Sequence, residues 1–268
     1  MSRLGTRLAA LRRNGRKALV SFITAGDPVL AATVPALIAL VKGGADVLEV
    51  GVPFSDPEAE GPAIQASSER ALANGTRLFD VLAMVREFRD ADDETPVILM
   101  GYLNSVEKMG YETFAACARE AGVDGVILVN LPPEEAPELK SALAKLDIDL
   151  IFLVAPTTTL DRARKIASSA SGFVYYASLK GVTGADHLAV DSVLERVRAL
   201  RAVTELPIMV GFGIKDGAAA RALAHEADGV VIGSALVNTM GALAAEPAHI
   251  PDALTARIGD FRQAIDAR

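Results

Sequence analysis

The sequence predicts an α/β fold, a (β/α)8 TIM barrel with an additional N-terminal helix, and three observations lead to it. Eight short apolar runs recur along the 268 residues. Between them lie stretches whose apolar residues repeat at spacings of three and four, the period of an amphipathic helix. The runs are rich in valine, isoleucine and leucine without strict alternation, which suits parallel strands covered on both faces. Repeated strand and helix units in one chain of this size form a closed parallel barrel, with a doubly wound open sheet as the alternative.

The elements follow in order. The opening MSRLGTRLAALRRNGRK is basic and free of acids, as an organelle transit peptide also is. Leu4, Leu8 and Leu11 recur at helical spacing and a strand follows at once, so the stretch reads as a structural helix covering the bottom of the barrel. The strand runs are ALVSFITAG (18–26), DVLEVGVP (46–53), PVILMGYL (96–103), GVILVN (125–130), DLIFLVAP (149–156), GFVYYASL (172–179), PIMVGFG (207–213) and GVVIGS (229–234). Helical patterns between them include VPALIALVKGG, LFDVLAMVREF, YETFAACAREAG, PELKSALAKL and DSVLERVRALRAV. No Pro/Gly/Ser-rich linker or shift of composition divides the chain, so residues 1–268 read as one barrel domain, with AAEPAHIPD a connector to the last helix.

Composition excludes several functions. Hydrophobic residues make up 51 % of the chain, enough for a large core, and the net charge of −7 argues against nucleic acid or an anionic membrane as partner. Cys117 is the only cysteine, so no internal disulfide forms; it reads as a packed thiol, and a reducing, cytoplasmic setting is expected. His187, His225 and His249 lack metal-ligand spacing, so no metal is expected. No run reaches the length of a membrane span, and the start lacks the apolar segment of a signal peptide.

In a parallel barrel, substrate is handled at the carboxyl ends of the strands. The second run carries Glu49 in an apolar setting, where an unpaired charge costs several kcal/mol. With period two, Val47, Glu49 and Gly51 share the inward face. An internal ion pair is the structural alternative, but the strand runs hold no lysine or arginine apart from Lys180 just past the sixth. Among neighbours such as Phe22, Met100 and Ile127, a carboxyl has its pKa raised toward the range needed for acid/base work. The stretches LKGVTGAD (179–186), GFGIKDG (211–217) and GSALV (233–237) follow strands six, seven and eight. Glycines and helix amino termini on that side suit a phosphate ester, while the absence of a G-x-x-x-x-G-K loop argues against phosphoryl transfer.

LEVGVPFSDPEAEGPAIQ, YYASLKGVTGA, GFGI and GSALV, with SFITAGDP, MGYLNSVEKMGYETF and APTTT, resemble the α subunit of tryptophan synthase over essentially the whole chain. The resemblance implies a carbon-carbon lyase that splits indole-3-glycerol phosphate by retro-aldol cleavage into indole and glyceraldehyde 3-phosphate, in tryptophan biosynthesis. It implies no cofactor in this chain, and a partner β subunit that carries pyridoxal phosphate in an α2β2 assembly. Carried over residue by residue, Glu49 is the acid/base group and Glu60 accepts from the indole N–H. Phe22, Tyr102, Ile127, Leu153, Tyr175 and Phe212 form the indole pocket, Thr183 closes over it, and Gly184, Gly211, Gly213, Gly233 and Ser234 cradle the phosphate. The family usually has aspartate at position 60, an apolar residue at 58 and aspartate at 130; here they are Glu60, Glu58 and Asn130. Two alternatives stay open: a weakened barrel that mainly binds and activates its partner, and another phosphosugar lyase or isomerase on the same fold.

Overall fold

Ser2 opens the first helix, its hydroxyl accepting from the amide of Gly5, and Arg12 and Arg13 occupy the last turn, where cations suit the helix dipole. The structure is a computed structural model and describes residues 2–58, 60–178, 187–211 and 213–267, with the backbone alone at 187–189. The strands are β1 (Ala18–Thr24), β2 (Val47–Gly51), β3 (Val97–Gly101), β4 (Gly125–Leu128), β5 (Asp149–Val154), β6 (Val174–Ala177), β7 (Ile208–Gly211) and β8 (Gly229–Ile232). The helices are α1 (Arg3–Arg13), α2 (Thr33–Lys42), α3 (Pro62–Ala73), α4 (Leu78–Arg89), α5 (Leu103–Met109), α6 (Tyr111–Ala121), α7 (Pro137–Ala144), α8 (Leu160–Ser169), α9 (His187–Arg201), α10 (Gly217–Ala224), α11 (Ser234–Ala242) and α12 (Ile250–Asp266).

Each strand pairs in parallel with the next and β8 returns to β1, so the sheet closes and the open-sheet alternative is excluded. All eight predicted runs contain a strand, and each strand ends two residues before its run does. The residue after the strand still donates across in four of them, Ala25 to the Gly51 carbonyl, Val52 to Met100, Val129 to Gly101 and Ser178 to Gly211, before the chain turns into the loops of the barrel mouth. The connector read before the last helix is shorter than expected, because α12 already starts at Ile250, with Pro251 in its first turn, where a missing N–H costs nothing.

Side chains alternate as period two requires. Val20, Val47, Ile98, Ile127, Ile151 and Met209 fill the barrel, and Leu4, Leu8 and Leu11 of α1 plug it from below. Leu19, Ile23, Leu48, Val50 and Leu99 face outward into the helix layer. Each such side chain contributes roughly 1.5–3 kcal/mol when fully buried. Cys117 packs, partly buried, against this outer layer.

Buried acids at the bottom are paired. Asp46 receives Arg7 at 2.9 Å, Arg262 at 3.1 Å and the Leu19 amide at 3.0 Å. Asp124 receives Arg89 at 2.8 Å, Arg3 at 3.0 Å and the Val97 amide at 2.9 Å. At the top, the turn after β1 does more than reverse the chain. Asp27 takes both Nε (2.6 Å) and Nη2 (3.0 Å) of Arg70 on α3, and Asn74 donates to the carbonyls of Gly26 and Pro28. This network fixes α3, and with it the loop that leads into α3 from β2.

Candidate active site

Glu49 lies at the centre of β2, paired in register with Phe22 on one side and Ile98 on the other. It is 1 % exposed, as buried as Asp46 and Asp124, yet neither carboxyl oxygen has a hydrogen-bond partner among the described residues. Among the described residues the structural alternative, an internal ion pair, is therefore absent; Lys180 lies outside them. Burial first, and the Glu60 charge second, push its pKa from 4.5 to about 8. The group is mostly protonated at neutral pH and can both give and take a proton. Tyr175, also facing the barrel mouth, has its phenol raised well above its usual value by burial and then by Glu49, so it stays neutral.

Glu60 arrives by a different route. Gly61 is the N-cap of α3 and Pro62 its first residue, a pre-set helix start that ends the loop after β2. The Glu60 amide donates to the Pro57 carbonyl at 3.3 Å, and Gln65 donates to the Glu60 carbonyl at 2.9 Å. The carboxylate accepts from the hydroxyl of Tyr102, whose ring stacks on Phe54 at 4.5 Å between centroids. Asn130 takes part from behind: its side-chain carbonyl accepts from the Leu103 amide at 2.8 Å, at the start of α5. Glu58 is exposed, so its charge is solvated.

Glu49 and Glu60 meet at one end of a cleft of about 1040 Å³ over the strand ends. Of the expected pocket residues, Phe22, Leu153 and Tyr175 line it, and Met100, Val129 and Ile64 add apolar wall. Tyr102 lines a narrow recess beside it and touches the site through Glu60. Ile127 is fully buried in the barrel and does not line the cleft, because its β4 position falls in the layer that fills the interior. Thr183, Gly184 and Phe212 lie outside the described residues.

Gly213, Gly233 and Ser234 line the far end, where α11 begins directly after β8. The first amides of α11 have no carbonyl within the helix to bond, and no acid occupies its first turn. The helix after β7 is different: Asp216 caps α10 by accepting from the Ala219 amide at 2.8 Å, so its own carboxylate occupies that terminus. Gly211 does not line the cleft either. A Cβ there would lie 2.2 Å from the Tyr175 hydroxyl, so the glycine makes room for that side chain. Sequence reasoning missed Lys215 and Arg257, which also line this end. Lys215 sits inside a stretch singled out only for its glycines, while Arg257 lies mid-helix in α12, where a charged residue at helical spacing gives no signal.

Comparison with known proteins decides among the readings that this geometry allows. The family model for the tryptophan synthase alpha chain matches residues 8–266. The chain belongs to the tryptophan synthase alpha chain family. It is 54 % identical over 266 residues to the alpha chain of Alkalilimnicola ehrlichii, covering 99 % of this chain and 97 % of that one. The Laribacter hongkongensis alpha chain is 55 % identical, covering both chains completely. Among solved structures, the alpha subunit from Legionella pneumophila str. Paris superposes with a TM-score of 0.92 at 46 % identity, covering 99 % of each chain. A chain of tryptophan synthase from M. tuberculosis in its aminoacrylate-bound form gives a TM-score of 0.87 at 36 % identity, covering 99 % of this chain and 100 % of that one.

The reaction is thus that of the tryptophan synthase alpha chain, carbon-carbon cleavage of indole-3-glycerol phosphate in tryptophan biosynthesis, and other phosphosugar chemistry on this fold is set aside. The alpha chain carries no cofactor; pyridoxal phosphate belongs to the β chain. Among the described residues no group of three His, Cys, Asp or Glu converges as a metal site needs, and no helix is long and apolar enough to cross a membrane.

Proposed function

We propose that Glu49 is the acid/base group of the lyase reaction and that Glu60 supports the indole ring. The observation that carries this is the buried, unpartnered Glu49 carboxyl, raised to about 8 at the floor of the cleft. Protonated Glu49 gives its proton to indole C3, leaving the ring electron-poor. As a carboxylate it then removes the proton of the adjacent side-chain hydroxyl, the bond from C3 to that carbon breaks, and indole and the aldehyde separate. One proton enters and one leaves, so the glutamate ends as it began. Glu60 accepts from the indole N–H, an interaction that strengthens as positive charge develops on the ring.

Phe22, Leu153 and Tyr175 pack the ring, and Gly213, Gly233 and Ser234 hold the phosphate through backbone amides. Thr183, Gly184 and Phe212 keep the roles that the family resemblance gives them. The chain acts in the cytoplasm with a β subunit in an α2β2 assembly, and residues 1–268 form one domain. Release of indole from indole-3-glycerol phosphate, followed with and without a β subunit, tests the reading. Turnover that rises when β is added supports it. A chain that raises β activity while releasing no indole itself belongs to the weakened-barrel alternative.

A further inference from the structure

The cleft is electrically polarised. Among the described residues its lining holds four charged ones: Glu49 and Glu60 at the indole end, Lys215 and Arg257 at the end of Gly213 and Gly233. Neither cation forms an ion pair among the described residues. Arg262, five positions further along α12, is buried against Asp46 and also holds Asp266 at 2.5 Å. Arg257 is instead fixed by uncharged partners. Its Nη2 donates to the Lys215 carbonyl at 3.0 Å, and its guanidinium stands 5.1 Å over the Phe261 ring. A stacked, singly anchored guanidinium keeps most of its donors unused while its orientation is set, and a phosphate dianion is the group such a fork fits.

We propose that Arg257, with Lys215 beside it, forms a cationic wall that selects the phosphorylated substrate at the α11 end of the cleft. This rests on the reading that the phosphate lies at Gly213 and Gly233. The backbone amides there accept any anion of suitable size, and they carry only partial charge. A full positive charge from α12, together with the ammonium of Lys215, complements a doubly charged ester and draws it toward the cleft before it seats. The wall acts on binding and not on the bond that breaks, since proton transfer occurs at the opposite end.

The test compares wild type, Arg257→Gln, Arg257→Lys and Lys215→Gln, each with saturating β subunit. KM and kcat for indole-3-glycerol phosphate are measured together with the affinities of indole-3-propanol phosphate and unphosphorylated indole-3-propanol. Arg257→Gln is expected to raise KM about tenfold, the loss of one charge-assisted contact, with kcat within about twofold. It weakens the phosphorylated analogue alike and leaves the unphosphorylated one unchanged. Arg257→Lys recovers most of the loss, Lys215→Gln shows a smaller effect of the same kind, and added salt weakens wild-type binding more than that of the glutamine variants. If wild type prefers the phosphorylated analogue and both glutamine variants keep that preference in full, the cationic wall is overturned and the amide cradle stands. If wild type shows no preference, the phosphate reading of this end falls, and this proposal with it. Lys215 is exposed and its substitution leaves the helix packing intact, so its result decides even if Arg257→Gln melts early.

Discussion

The hydroxyl of Tyr102 donates to the carboxylate of Glu60, joining the end of β3 to the loop that precedes α3. Stacking on Phe54 fixes the phenol, so the longer glutamate ends against a rigid partner. The extra methylene relative to the usual aspartate is taken up by this contact. Shortening the side chain withdraws the carboxylate by about 1 Å, and a misplacement of that size costs up to about 10²-fold in rate. Glu60→Asp is therefore expected to lower kcat/KM for indole-3-glycerol phosphate at saturating β subunit. A gain of tenfold or more would mean that Glu60 impairs the enzyme.

Asn130 supplies a second test of the departures. Its amide already caps the start of α5 through the Leu103 N–H, and its nitrogen donates to Asn104 at 3.3 Å. Aspartate keeps the first bond, loses the second and adds a favourable charge near a helix start, a balance within about 1 kcal/mol. Asn130→Asp should leave both kcat/KM and Tm nearly unchanged. Steady-state kinetics with β subunit and a thermal melt check this, and a large rise in kcat/KM would show that the lost carboxylate matters.

The phosphate cradle is best probed at Gly233. A Cβ there would come no closer than 3.5 Å to any neighbour, the nearest being Phe22, and the backbone is not in the left-handed region. Gly233→Ala should thus fold normally while its methyl intrudes beside the first amides of α11, raising KM roughly tenfold, about 1.4 kcal/mol of binding. Gly213 stands at φ +74°, where any side chain adds strain, so its variants mix folding with binding. An unchanged KM in folded Gly233→Ala argues against the cradle.

Much of this was legible in the sequence because it depends on patterns of period two and 3.6. The strand runs, the bottom plug of Leu4, Leu8 and Leu11, and the inward face of Glu49 all follow from spacing. Elements whose formation depends on local caps were harder to see: α5 is short and is held at its start by Asn130 from β4, and α3 is only weakly amphipathic. Site residues held by distant partners left no trace in the chain. The bonds from Arg70 to Asp27, from Tyr102 to Glu60 and from Arg257 to Lys215 each span more than forty residues or join separate loops and helices. Ile127 and Gly211 carry the right chemistry for the pocket, but strand register sets the first one layer too deep and the second against Tyr175.

Glu49 should cost stability in return for its chemistry. Between its ordinary pKa of 4.5 and its folded value of about 8, the folded chain holds a proton that the unfolded chain has lost. Folding then takes up a proton, so its contribution to stability falls as pH rises through that window. Glu49→Gln has no such dependence. Its advantage over wild type should be small near pH 4.5 and reach on the order of 3 kcal/mol at pH 7. Denaturant melts across that range measure it. A difference that does not change with pH would place the folded pKa near its ordinary value.

The acid/base assignment of Glu49 is tested most directly by indole release from indole-3-glycerol phosphate at saturating β subunit, comparing wild type with Glu49→Gln across pH. Wild-type kcat should fall as pH rises through about 8, where the carboxyl loses the proton it must deliver. The glutamine variant should still bind indole-3-propanol phosphate but turn over at least about 10²-fold more slowly, without that pH step. Retention of more than roughly a tenth of the wild-type rate, with the same pH profile, would contradict the assignment, because a group that cannot transfer a proton would then be doing the work.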